Sequence, residues 1–122
     1  MDIVIKNGTI INSGDSFKAD IGVRNGKIVA LADDLSGMEN IDATGKYILP
    51  GLIEAHSHLE SPFGHTRSLD NFYRGSQAAA CGGVTTLIDR VVPTGDESLS
   101  EAISSRRELA DAQVAVDYSL HV

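Results

Sequence analysis

The chain has one cysteine, Cys81, and no tryptophan. A lone thiol excludes an internal disulfide framework, so any core must come from apolar burial. Positive charge is scarce. Lys and Arg number 10 against 17 Asp and Glu, for a net charge of −7. No Lys/Arg cluster offsets that balance, which argues against a nucleic-acid partner. No apolar run approaches the roughly 18 residues of a membrane helix, so no membrane partner is expected. Met1-Asp2-Ile3 begins a strand pattern directly, without a basic leader and apolar signal core. A cytoplasmic location is the expectation that follows from these absences. What is present, 122 residues at 42% hydrophobic and 22% charged, fits a soluble globular chain large enough to bury a core.

The composition changes at Pro50-Gly51. Before it, short β patterns alternate with glycine turns. Asp2–Lys6 is followed by Asn7-Gly8 and Thr9–Ile11, and Phe17–Arg24 by Asn25-Gly26 and Lys27–Leu31. Asn-Gly between apolar strands is a strong hairpin signal, because both central residues of a type I′ turn need positive φ. Residues 1–50 therefore read as a small antiparallel β unit, with a last strand over Tyr47–Leu49 after the Thr44-Gly45 turn.

From Gly51 the rhythm becomes strand, helix, strand, helix, strand. The expected strands are Leu52–His56, Val84–Ile88 and Val114–Val122. The first helix is expected over about Leu69–Ala80, capped by Ser68 and stopped by Gly82-Gly83. Ser98-Leu99-Ser100-Glu101 matches a capping box and opens a second helix to about Ala112, with Leu99, Ala102, Ile103, Leu109 and Ala110 inward. Strands alternating with helices imply a parallel sheet. The fold class is α/β: a small β unit joined to the opening of a parallel barrel. Three strands cannot close a barrel of eight, and Val122 ends the third.

Pro50-Gly51-Leu52-Ile53-Glu54-Ala55-His56-Ser57-His58 carries the strongest chemical signal. Side chains at i and i+2 of a strand share a face, so His56 and His58 aim two imidazoles at one point near a strand's C-terminal end. Imidazole is the commonest protein ligand for zinc, and parallel barrels build their sites at that end. The plainer alternative places one histidine in a loop and packs the other on the sheet. Glu54 shares their face and is placed to orient an imidazole, whereas Glu60 reads as a loop carboxylate. Asp89 follows the second strand, either as an acceptor behind a ligand imidazole or as a cap for its loop. His121 ends the third strand, as a further ligand or as a packed strand residue. His65 sits in a Gly-containing loop, Cys81 reads as a small buried hydrophobe, and Arg106 and Arg107 read as a solvated helix face.

Five segments together, "MDIVIKNGTIINS", "ADIGVRNGKIVAL", "IDATGKYILPGLIEAHSHLESPFG", "AAACGGVTTLIDRVVP" and "VDYSLHV", strongly resemble the start of cyclic amidohydrolases of the dihydropyrimidinase and hydantoinase family. The most specific matches are the Pro-Gly-x-Ile-x-x-His-x-His block, the Pro62-Phe63-Gly64 loop and Gly82-Gly83-x-Thr85-Thr86. Allantoinases and dihydroorotases share the histidine block, and Pro62-Phe63-Gly64 favours the hydantoinase branch. The resemblance implies that residues 1–50 are the N-terminal part of a β-sandwich built from both chain ends. It implies that residues 51–122 are the start of a (β/α)8 TIM-type barrel, with three strands and two helices of it present.

It further implies a two-zinc centre in which a metal-bound hydroxide opens a dihydropyrimidine or hydantoin ring. His56 and His58 match the family's first two ligands, both to the more buried ion. A carbamylated lysine, two histidines and an aspartate that also shuttles the proton lie beyond the third strand in the family and have no counterpart here. Phe63 would contact the ring substituent, with Glu54 and Asp89 behind the ligands. The full-length parent would be a homo-oligomer, a tetramer, and the 122-residue chain alone would be inactive. The rival readings are an allantoinase, a dihydroorotase, a D-aminoacylase-like amidohydrolase, or a non-catalytic scaffold relative. Two departures stand out: Glu54 occupies the place of the family's usual aspartate, and Arg90 follows Asp89 where relatives carry an apolar residue.

Overall fold

The computed structural model describes residues 1–122. They divide into two compact units, Met1–Pro50 and Gly51–Val122.

The first unit contains β1 (Ile3–Lys6), β2 (Thr9–Ile11), β3 (Ser16–Lys18), β4 (Asp20–Arg24), β5 (Lys27–Ala32), β6 (Glu39–Asp42) and β7 (Tyr47–Ile48). They form a four-stranded sheet, β5-β4-β1-β6, and a three-stranded one, β3-β2-β7. Val4, Ile10, Ile21 and Ala43 are buried; each fully buried Val or Ile contributes about 1.5–3 kcal/mol.

This unit is not purely antiparallel. β1 pairs with β6, and β2 with β7, in parallel. The two Asn-Gly pairs also behave differently. Asn25 and Gly26 both take positive φ, 51° and 70°, and close the expected β4–β5 hairpin. Asn7 takes φ 64°, but β1 and β2 lie in different sheets and no hairpin forms. The Asn7 N–H donates to Asp20 Oδ1 (3.0 Å) and its amide to Asp42 Oδ1 (3.0 Å), which turns the chain out of the first sheet. Gly8 serves close approach: a Cβ there would meet Ile48 Cδ1 at 2.3 Å. The expected strand Phe17–Arg24 is likewise broken at Ala19 into β3 and β4, which belong to separate sheets.

The second unit contains β8 (Leu52–Ser57), β9 (Pro62–Phe63), β10 (Thr66–Arg67), α1 (Phe72–Cys81), β11 (Val84–Arg90), α2 (Leu99–Asp111) and β12 (Asp117–His121). β8, β11 and β12 form a parallel sheet with β11 in the middle, and α1 and α2 supply the crossovers. β9 and β10 make a small hairpin that no alternation in the sequence announced.

Helix α1 starts later than expected. Asn71, not Ser68, is the N-cap, accepting from Arg74 N. Ser68 is used by the preceding loop: its Oγ accepts from Ser61 N (2.8 Å) and its N–H donates to Ser61 O (2.9 Å). Leu69 falls outside the helix and is 94% exposed. α1 buries Phe72 and Ser76, while Tyr73 faces outward.

Helix α2 has the full capping box on Ser98 and Glu101, whose bonds from Ser98 hold the Glu101 carboxyl below its ordinary range. It buries Ala102, Arg106 and Ala110, one stripe at i, i+4 and i+8. Leu99 and Leu109, expected inward, are exposed. Strand β8 forms where expected, one residue longer. Within the three strands present β8 is an edge, and Leu52 and Ile53 are 52% and 64% exposed.

Candidate metal centre

His56 lies near the end of β8 and His58 just beyond it. Their rings converge: Nε2 to Nε2 is 2.8 Å, with centroids 4.7 Å apart and planes at 64°. The i, i+2 geometry of the strand sends both imidazoles to one side, while Ser57 between them turns the other way and donates to Asp89 Oδ1 (2.9 Å). His121, at the end of β12, brings its ring centroid within 5.6 Å of that of His56. Its Nε2 is buried without a hydrogen-bond partner.

The histidine pair suits a metal ion by its donor chemistry. Two zinc–imidazole bonds of about 2.0–2.1 Å at a tetrahedral angle place the nitrogens about 3.3 Å apart, a small opening from the observed contact. Two donors are fewer than the three protein ligands of a catalytic zinc site. No cluster of three or more His, Cys, Asp or Glu with ligand geometry occurs in the chain.

Glu54 Oε1 accepts from the backbone N–H of His56 (3.0 Å). It braces the strand through the backbone, with no hydrogen bond to either ring. Asp89 has no solvent exposure, and its hydrogen bonds go to Ser57, Leu59 and Arg106, not to either ring. Oδ1 accepts from Leu59 N (2.9 Å) as well as from Ser57, and Oδ2 accepts from Arg106 Nε (2.8 Å). It therefore caps the loop after β8, not the loop after its own strand.

Arg106 is buried, which corrects its reading as a solvated residue. Its Nη2 donates to Asp89 Oδ2, to the carbonyl of Leu59 and to Ser61 Oγ (3.1 Å). Its guanidinium lies 4.6 Å over the Phe72 ring, a favourable stacking. Arg107, by contrast, is exposed. One signal could have found Arg106: it sits between Ala102 and Ala110 at helical spacing, on the small-residue stripe of α2.

Phe63 is exposed in β9. It lines, with His58, Pro62, Thr66 and Arg67, an open cleft of about 330 Å³. His65 and Arg90 are exposed. Glu60 adopts φ 46° with Oε2 buried and unpartnered. Cys81 is a free, exposed thiol at the end of α1, not a buried one.

No family model matches the chain. Individual proteins do. It is 45% identical to dihydropyrimidinase 2 of Caenorhabditis briggsae and 46% identical to a dihydropyrimidinase of Dictyostelium discoideum, in each case over 98% of this chain and 24% of the relative. Among solved structures, the dihydropyrimidinase from Brevibacillus agri NCHU1002 superposes with a TM-score of 0.93 at 42% identity, over 99% of this chain and 27% of that one. The chain thus spans about a quarter of the length of the curated relatives it matches. Over that portion its sequence and its fold are similar to those of dihydropyrimidinases and D-hydantoinases.

Proposed function

We propose that these residues are the N-terminal portion of a metal-dependent hydrolase that opens cyclic amides, acting on dihydropyrimidine or hydantoin rings. The observation that carries this reading is the convergence of His56 and His58 at the end of a parallel strand, in a chain similar throughout to dihydropyrimidinases and D-hydantoinases. The Gly51–Val122 unit is then the start of a (β/α)8 barrel and the Met1–Pro50 unit part of a β-sandwich. The complete protein is a cytoplasmic homotetramer. No helix here is long and apolar enough to cross a membrane.

His56 and His58 would hold the inner of two zinc ions through their converging Nε2 atoms. Such a centre, when loaded, lowers the pKa of water and polarises a carbonyl. Glu54 fixes the backbone of His56, and Asp89 fixes the residues on either side of His58. Phe63 offers the cleft beside His58 an aromatic wall for a ring substituent. The remaining ligands and the proton-transferring group lie outside these residues, so the 122-residue polypeptide expressed alone is expected to be inactive.

The test is a full-length protein assayed against dihydrouracil, hydantoin, allantoin and dihydroorotate, with metal measured by elemental analysis. Dihydrouracil or hydantoin is the expected substrate. His56→Ala and His58→Ala are each expected to lose metal and nearly all turnover. Preference for allantoin or dihydroorotate by more than about a hundredfold, roughly 2.7 kcal/mol of transition-state discrimination, refutes the substrate assignment. Full zinc retention in either variant refutes the ligand assignment.

A further inference from the structure

We infer that Asp89 and Arg106 are positioning residues for the metal centre, acting as a clamp that fixes His58 through the chain on both sides of it. This rests on the reading of His56 and His58 as ligands.

His58 follows the last residue of β8, where the ladder no longer constrains the backbone. Its neighbours supply the constraint. Ser57 Oγ and Leu59 N both donate to Asp89 Oδ1, at 2.9 Å each, and the Leu59 carbonyl accepts from Arg106. Both backbone polar groups of Leu59 are thus held by one buried ion pair. The Leu59 side chain is held too, because α1 presents Gly75 where a Cβ would meet Leu59 Cδ2 at 2.3 Å. Arg106 also donates to Ser61 Oγ, carrying the grip two residues further towards Phe63.

The guanidinium sends both Nε and Nη2 to Asp89 and reaches Leu59 O and Ser61 Oγ while its flat face stacks on Phe72; a lysine ends in a single nitrogen with no face to stack. Asp89 and Arg106 come from β11 and α2, so rigid elements hold the loop. Partners behind metal ligands typically change metal affinity 10–100-fold when removed, and here the partner acts through the peptide rather than through the ring.

The experiment uses the full-length, zinc-loaded protein and its Arg106→Lys, Arg106→Ala and Ser57→Ala variants. The measurements are the rate of zinc release to a chelator and the visible spectrum of the cobalt-substituted forms. Arg106→Lys is expected to release zinc about 10–100-fold faster with an altered cobalt spectrum and the far-UV circular dichroism of the unsubstituted protein. Ser57→Ala, which removes one bond to Asp89 and leaves the ion pair intact, is expected to shift release in the same direction by less. If Arg106→Ala does not fold, the other two variants decide. Zinc release and cobalt spectra unchanged in folded Arg106→Lys and Ser57→Ala, with the unsubstituted protein binding metal, overturn the clamp alone. An unsubstituted protein that binds no metal overturns the clamp together with the reading it rests on.

Discussion

Each unit contains a buried aspartate paired with a cation, and the two pairs differ in what they hold. Asp20, in the Met1–Pro50 unit, accepts from Asn7 N (3.0 Å), Leu35 N (3.1 Å) and Lys6 Nζ (3.1 Å). Lys6 reaches on to the Leu35 carbonyl (2.6 Å) and keeps 29% of its side chain in solvent. Asp89 does the same work for Ser57 and Leu59, but its cation is Arg106, with a side chain 10% exposed. Lys6 is a point charge at a wet edge that staples two loops of a scaffold. Arg106 is a dry fork whose three acceptors fix the chain beside the converging histidines. The comparison teaches that a carboxylate capping loop N–H groups tolerates a loose cation where only the chain's course matters. Where a side chain must be aimed, the cation is rigid and desolvated.

The largest expected break is Asp89→Ala. It leaves the Arg106 charge buried and uncompensated, which costs about 3–5 kcal/mol. Asp20→Ala is expected to cost less, because Lys6 can turn to water. Chemical denaturation of both variants measures the difference; an equal or larger loss for Asp20→Ala contradicts it.

The second comparison exchanges the cations. Arg106→Lys gives up charge-assisted bonds that the shorter, single-headed group cannot make, and is expected to lose about 1.5–3 kcal/mol. Lys6→Arg is expected to stay within about 0.5 kcal/mol, as for ordinary surface changes. Urea midpoints for the pair test this, and matched midpoints would show that the fork has no advantage over the point charge.

The smallest effect is on acid stability. The Asn7 backbone N–H and the Lys6 ammonium hold the Asp20 carboxyl below its ordinary range. Thr44 and Asn7 pull Asp42 from 3.8 down to about 2. A carboxyl depressed on folding contributes stability above its unfolded value, and that contribution is lost as pH falls through the folded one. The Met1–Pro50 unit should therefore weaken steadily from about pH 4 towards pH 2, and Asp42→Asn should flatten the slope. Thermal melts across that range read it directly; an unchanged slope in Asp42→Asn would separate Asp42 from the acid response.

The same contrast explains what could be read from the sequence. Local signals transferred well. The Ser98–Glu101 capping box and the Asn25-Gly26 hairpin depend on residues within a few positions of each other. Asn7-Gly8 carries the same letters but bends the chain between sheets, because its partners, Asp20 and Asp42, lie 13 and 35 residues away. The convergence of His56 and His58 is the one strand alternation predicts, although His58 lies one residue past the end of β8. The burial of Arg106 has almost no local signal because its acceptors Asp89 and Leu59, in β11 and in the loop after β8, are 17 and 47 residues distant; only its place between two alanines hints at it. Ser68 and Asn71 are both acceptable caps, and what separates them is the loop's use of Ser68 for Ser61.

The position of β1 has a consequence for synthesis on the ribosome. β1 is a central strand, flanked by β4 and β6, and Ile3 finds its partner on the β6 side only at Glu39. At about 5–20 residues per second, that is a delay of roughly 2–7 s. During it, β1 has an open edge and Val4, later fully buried, has no complete core. The nascent chain therefore depends on the speed of its own elongation: codons that slow translation between Arg24 and Glu39 prolong the interval in which β1 can pair with a neighbouring nascent chain instead of its own.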